Sequence, residues 1–368
     1  MEQSLTIKTP GKLMVAGEFA VLEPYHHLVV MAVDRFVYTE IIDSDKKVVT
    51  LKDFQLHDLE WKFVNGEVVF NHTDTRLAFV KEAIGVTLTY LEEVNSTLQP
   101  FSLVITSELD DNDSGLKYGL GSSAAVVTSI VTAILTKFLP ETPTRELIFK
   151  LASIAHIKTQ GNGSGADIAA STYGGVLNYT SFQAEWLKEE LSKQPNIVKL
   201  VEKDWKYLSI KPMKFPSTIQ VCIGWTGNPA STGSLVSHIK SLKDLRPDRY
   251  TAFLHKSERA VSSILTGMEH DDAKLFFDGI RLNREALAQL GIDAQVEIET
   301  DKLYKLSVAA ENYGGAGKLS GAGGGDCGLA FIPEQQSRQK LYDDWEKTGI
   351  QTLQISIHLE GSSLVKPE

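Results

Sequence analysis

The chain has 368 residues, 42% of them hydrophobic and 23% charged, with a formal net charge of −10. That length can bury the cores of two ordinary domains, and the acidic balance speaks against non-specific nucleic-acid binding and against an anionic membrane surface. Cys222 and Cys327 are the two cysteines and make no disulfide framework. The start, MEQSLTIKTPGK, lacks the basic-then-apolar order of a signal peptide, and no apolar run reaches the roughly 18 residues of a membrane span, so a reducing, cytoplasmic setting is expected.

Residues 5–50 read as strand-rich, and 76–94 as a helix with apolar positions at three- and four-residue steps. FSLVITSEL (101–109) alternates as a strand does. GLKYGLGSSAAVV (115–127) then opens a long apolar helix, and TRELIFKLASIAHIKTQ (144–160) is a second helix, halted by GNGSG. A small-residue segment, ADIAASTYGG, and a strand, VLNYTSF, follow. Residues 183–217 turn polar and lysine-rich with three prolines. The domain boundary is placed there, giving an N-terminal domain 1–190, a linker region 191–217 and a C-terminal domain 218–368. Beyond it come a strand (TIQVCIGWTG), four helical segments between Gly233 and Tyr313, a glycine-rich loop, the strand CGLAFI, a helix and a last strand, TLQISIHL. Elements alternate without the strict rhythm of a parallel sheet, so the fold class is α+β.

Three glycine-bearing stretches carry chemistry. Small residues before the helix at 122 leave its first N–H groups uncovered at the positive end of the dipole, where an anion can sit. Around 314–331, glycines lead directly into a buried strand, which suits backbone packed close around phosphate oxygens better than a linker. TPGKLMVAGEFAVL (9–22) sets Lys12 after a Pro-Gly turn. No G-x-x-x-x-G-K-[ST] string occurs. Gly323, Gly325 and Gly328 match G-x-G-x-x-G, but the strand follows the glycines instead of preceding them, so the dinucleotide fingerprint is rejected. The protein-kinase motifs are absent as well.

Taken in order, Pro10-Gly11-Lys12, Gly119-Leu120-Gly121-Ser122-Ser123-Ala124 and Lys318-Leu319-Ser320-Gly321-Ala322-Gly323-Gly324-Gly325 resemble the three motifs of the GHMP small-molecule kinases, across nearly the whole chain. The resemblance implies a ribosomal-protein-S5-like N-terminal domain and a ferredoxin-like C-terminal domain with the active site between them. Within the family, Phe19 after Gly17-Glu18, Gly163-Ser164-Gly165-Ala166-Asp167, Lys117 and WTGNPASTG (225–233) are similar to phosphomevalonate kinases more than to mevalonate kinases. The implied reaction is Mg²⁺-dependent transfer of the γ-phosphoryl group of ATP to phosphomevalonate, giving diphosphomevalonate. A mevalonate kinase, another GHMP kinase and an inactive ligand-sensing member remain the alternatives.

The resemblance implies that Lys117, Gly119, Leu120, Gly121, Ser122, Ser123, Ala124, Ser320, Gly321, Ala322, Gly323 and Gly324 hold the nucleotide. Ser122 or Ser123 would offer a hydroxyl to Mg²⁺, and Lys12, Ser164 and Ser231 would meet the acceptor. Lys12 and Asp167 are the catalytic pair. A phosphate monoester has a second pKa near 6, so its oxygen is largely ionised at neutral pH and needs no base. Asp167 is therefore expected to hold Lys12 by a charge pair, while Lys12 offsets the charge passing between phosphoryl groups. Each residue also has a plain structural reading. The serines and Asp167 suit caps or turns, Lys117 a solvated loop, and His156 and Lys158 packing and surface positions.

Overall fold

The computed structural model describes residues 4–110, 116–193, 196–227 and 232–366. In chain order the first half comprises β1 (Ser4–Ala16), β2 (His27–Asp43), β3 (Val48–Leu51), β4 (Leu56–Val64), β5 (Glu67–Phe70), α1 (Ala78–Glu93), β6 (Phe101–Ser107), α2 (Ser122–Phe138), α3 (Arg145–Gln160), α4 (Ala166–Tyr173), β7 (Val176–Thr180), α5 (Ala184–Ser192), α6 (Ile197–Glu202) and β8 (Ser209–Met213). The second half comprises β9 (Ile219–Trp225), α7 (Thr232–Leu245), α8 (Pro247–Glu269), α9 (Ala273–Ala294), α10 (Asp301–Asn312), β10 (Ala316–Leu319), β11 (Cys327–Pro333), α11 (Arg338–Glu346), β12 (Gln351–Leu353) and β13 (Ser363–Leu364).

Two sheets organise these elements, as an α+β fold requires. The larger has the order β13-β1-β2-β6-β3-β4-β5, with β7 and β8 added alongside β2. β2 is long enough to serve two neighbours on one edge: residues 27–31 pair with β7 and 37–43 with β6. Among the described residues, only the β3–β6 pair runs parallel. α2 carries no charge before Lys137, and a helix apolar on nearly every side must be buried. It packs on β1 and β2 with α1, α3 and α4 around it. The smaller sheet, β10-β11-β9-β12, is antiparallel throughout, with α9 and α10 packed on it.

Two findings depart from the linear reading. The polar stretch after 191 is itself folded: β8 pairs with β7, and Trp205, 2% exposed, packs among Phe149, Phe182 and Trp186. Lysines cover this segment's outside while its few large apolar side chains anchor it. At the far end, Ile357 bridges to Val33 and β13 pairs with β1, so the chain's last residues lie on the first sheet. One apolar core runs through both layers, with Phe276 and Phe331 in the same cluster as Leu13 and Val30.

Candidate functional site

The Pro10-Gly11-Lys12 segment is not a turn. It lies inside β1, where the pairing with β2 shifts register: Pro10 stands opposite Phe36 and Gly11 opposite Val33, so the extra residues, Asp34 and Arg35, belong to β2. A Cβ on Gly11 would stand 2.9 Å from the Leu120 carbonyl oxygen, so only glycine lets the second glycine loop come this close. The Lys12 amide donates to Leu120 O at 2.8 Å. The Lys12 side chain, 8% exposed, lies along Gly121, and its ammonium donates to Gly119 O at 3.1 Å. These contacts lay the lysine across the start of α2.

Gly121 is the N-cap of α2, in the left-handed region at φ 81°, and no side chain caps the helix. Ser122 and Ser123 therefore stand inside the first turn as its first and second residues, and the capping role is not theirs. Leu120 and Ala124 are buried in the core; their part is to seat the loop. Lys117 is exposed and bridges by its backbone to Asp110. Burial pushes the Asp110 carboxyl up, with Lys117 opposing.

The third loop is stitched to the other two. Lys318, fully buried, pairs with Glu18 at 2.5 Å, and Asn283 donates to the other Glu18 oxygen at 3.1 Å. Burial lowers the Lys318 pKa, with Glu18 raising it. The Met14 amide donates to Ser320 Oγ at 2.8 Å, and the Cys327 thiol donates to Tyr118 O at 3.0 Å. Gly321 and Ala322 line an open cleft. Gly323 and Gly324 face protein instead. A Cβ on Gly323 would lie 2.3 Å from Ile298 O, and the Gly324 amide donates to that same oxygen at 2.8 Å. These two glycines are explained by close packing on the segment after α9.

α4 brings in Asp167. Its N-cap, Gly165, has φ 77° and leaves no room for a side chain against Phe182 and Tyr179. The first amides of α4 are satisfied locally: Ser164 Oγ accepts from Ala166 N at 3.3 Å and Asp167 Oδ1 from Ile168 N at 3.0 Å. Ser171 of α4 donates to Pro10 O at 2.8 Å, which bolts this helix to the part of β1 carrying Lys12. The expected Lys12–Asp167 charge pair is nevertheless not formed: no ion pair joins them among the described residues. The Lys12 ammonium is committed to Gly119 O, and Asp167 turns toward its own helix.

A cleft of about 720 Å³ runs from Ser164, Asp167 and His156 to Gly321 and Ala322, walled on one side by α7. Lys12, Ser122, Ser123 and Ser320 stay outside its lining, and Ser231 lies outside the described residues. Lys158 pairs with Glu82 at 2.8 Å on the surface. Sequence reasoning missed the α7 wall. Leu235 and Ile239 bury against Phe19 and Tyr250, so Val236, Ile239, Lys240 and Lys243 turn one helical face to the cleft. Lys243 is neutralised by Glu23 at 2.6 Å, whereas Lys240 is exposed and has no carboxylate partner among the described residues. The 236/239/240/243 spacing was a legible signal, but nothing in the sequence told which face meets the cleft. Among the described residues no three His, Cys, Asp or Glu side chains gather as a metal site, and no helix is long and apolar enough to cross a membrane.

Comparison with known proteins supports the same assembly. Residues 78–175 match the GHMP kinases N terminal domain and residues 264–351 the GHMP kinases C terminal family. A phosphomevalonate kinase from Streptomyces sp. (strain CL190) is 33% identical over 98% of this chain and 99% of its own. The Lin0012 protein from Listeria innocua superposes with a TM-score of 0.93 at 38% identity, covering 99% of this chain and 100% of that one. The Streptococcus pneumoniae phosphomevalonate kinase in complex with phosphomevalonate and AMPPNP superposes with a TM-score of 0.83 at 28% identity, over 96% of this chain and 99% of that one. On these matches, this chain is a phosphotransferase-type member of the GHMP kinase family, homologous to bacterial phosphomevalonate kinase.

Proposed function

We propose that this protein transfers the γ-phosphoryl group of ATP to the phosphate of phosphomevalonate, releasing ADP and diphosphomevalonate. The observation that carries the reading is the start of α2: an N-terminus with no capping side chain, spanned by a nearly buried lysine. Uncovered amides and a dipole end bind phosphate oxygens. Lys12 supplies a fixed positive charge beside them at no reorganisation cost. The chain divides functionally near residue 218, the first sheet presenting the phosphate end and α7 with the third loop closing the cleft.

The acceptor fits the cleft, where Lys240 is an uncommitted cation and Ser164 a hydroxyl at the α4 start. An ionised oxygen of the acceptor phosphate attacks the γ-phosphorus, and the bond from that phosphorus to the bridging β-phosphate oxygen breaks. No proton needs removal from a phosphate already ionised above about pH 6, so Asp167 serves as a fixed negative charge at the acceptor end rather than as an obligatory base. Mg²⁺ prefers few protein oxygens plus phosphate oxygens, and the free hydroxyls of Ser122 and Ser123 are such donors; when bound, the ion neutralises phosphate charge. ATP as the phosphoryl donor fits a metabolic enzyme of the cytoplasm.

The test is ADP release with Mg·ATP and a panel of acceptors. Turnover of phosphomevalonate with mevalonate inert is expected. Turnover of mevalonate with phosphomevalonate inert overturns the assignment.

A further inference from the structure

The charges that line the cleft are mostly spent on one another or on nearby lysines. Glu18 is tied to Lys318 at 2.5 Å and Glu185 to Lys188 at 2.9 Å. Glu23 pairs with Lys243 at 2.6 Å and also accepts from Tyr250 Oη at 3.0 Å. Asp167 and Asp244 keep their negative charge in the lining. Among the described residues, Lys240 is the one lining lysine without a carboxylate partner. It also stands away from the reacting end. That end belongs to β1 and α4: Met14, two residues on from Lys12, lines the cleft, and Ser171 ties the helix of Asp167 to Pro10 O. α7 instead packs on α8 and α9 and meets the first layer later in the chain, where Leu235 and Ile239 bury against Phe19 and Lys243 reaches Glu23. Lys240, three residues before Lys243, shares that face of the helix.

We infer that Lys240 binds the carboxylate of the acceptor and so makes the enzyme select a phosphorylated acid over other phosphate esters. The inference rests on the phosphomevalonate reading above and deepens it. In phosphomevalonate the carboxylate and the phosphate stand at opposite ends of the carbon chain. With the phosphate held for transfer near Lys12 and Asp167, the carboxylate extends toward α7. The Lys240 ammonium offers it a full charge and three donors, on a flexible stem that can follow the acid as it enters. The side chain is exposed, so water satisfies the ammonium until the acid takes its place. In a lining whose other unpaired charges are carboxylates, the position of one cation decides which way an anionic molecule lies.

Two partial acceptors separate the two ends: mevalonate keeps the carboxylate and lacks the phosphate, and isopentenyl phosphate keeps a phosphate and lacks the carboxylate. Each is measured as a competitive inhibitor against phosphomevalonate in the wild type and in Lys240→Ala. Alanine on an exposed helix face leaves Tm in place. KM for phosphomevalonate is expected to rise about tenfold, the loss of one charge-assisted contact, while KM for ATP stays put. The same loss is expected in the mevalonate Ki and not in the isopentenyl phosphate Ki. Lys240→Arg recovers most of the affinity, and Lys240→Glu weakens it further. An unchanged phosphomevalonate KM in Lys240→Ala overturns the inference. So does a loss that appears in the isopentenyl phosphate Ki, which would put Lys240 at the phosphate end. A wild type indifferent to mevalonate overturns it too, since a carboxylate subsite would hold that acid. Failure of the wild type to turn over phosphomevalonate at all is a separate result: it removes the functional reading, and the inference with it.

Discussion

α2 and α4 begin alike and end up with opposite uses. Each follows a glycine N-cap in the left-handed region, Gly121 at φ 81° and Gly165 at φ 77°, and neither has a side-chain cap at that position. In α4 the first turn satisfies itself, through Ser164 Oγ and the Asp167 carboxylate. In α2 the corresponding residues are Leu120 and Ser123, no carboxylate enters the first turn, and a lysine lies across the opening. One helix start is filled by its own anion; the other holds none, and it is the one we propose for phosphate. What occupies the first amides, more than the glycine that exposes them, separates a structural helix start from a phosphate site.

The comparison can be broken in several ways, ranked by expected loss of turnover per folded molecule. Lys12→Ala removes the charge over the α2 opening and is expected to cut kcat about 10²- to 10³-fold; a change confined to KM would demote Lys12 to ground-state binding. Ser123→Asp gives α2 the residue α4 carries at the same position in its first turn. The new carboxylate suits the helix dipole, so Tm should hold or rise slightly, while ATP affinity falls about a hundredfold through repulsion at close range. Retained ATP affinity in that variant would show that phosphate does not use this turn.

Asp167→Asn converts α4 toward the neutral state of α2. Activity should drop less than in Lys12→Ala, because no ion pair between the two is lost. The acidic limb of kcat/KM, rising through about pH 6 as the acceptor phosphate ionises, should survive at reduced height. Disappearance of that limb with near-complete loss of rate would make Asp167 a required base.

Gly323→Val tests the other glycine stretch. With a Cβ 2.3 Å from Ile298 O and φ at 79°, the cost is in folding, about 2–4 kcal/mol, and the folded fraction should keep its ATP affinity; thermal melts and ATP titration on the same sample separate the two. The smallest effect is expected at Cys327. Burial pushes its thiol far above the ordinary range, with Asp326 adding to the rise. It stays protonated through neutral and mildly alkaline pH, and thiol-alkylating reagents at pH 8 should leave activity intact. Inactivation at a stoichiometry of one at this residue would contradict that.

Much of this was legible in linear form. The apolar helix at 122, the helix at 144 and the strand after the third loop follow from periodicity and bounding glycines, because those signals depend on neighbours a few residues away. The three glycine-bearing motifs in order pointed to the GHMP frame. The Pro-Gly pair misled as a turn because it lies inside a long strand, where pairing shifts register and the second glycine loop comes close to Gly11. Lys12 and Asp167 were expected to pair, yet each side chain bonds elsewhere, since a pairing distance is set by β1, α2 and α4 together.

By itself the sequence determined that this is an α+β chain with an uncovered helix start at Ser122, a lysine on an N-terminal strand and glycine-lined backbone before a buried strand. Only the tertiary structure decided that Gly323 and Gly324 serve Ile298, that Lys318 is buried against Glu18, that α7 walls the cleft and that residues 363–364 return to β1. Helix starts and strand periods are encoded within one or two turns of chain. Whether an amide, a charge or an imidazole finds a partner depends on atoms brought together from 100 or more residues away, as with Lys318 and Glu18, which lie 300 positions apart.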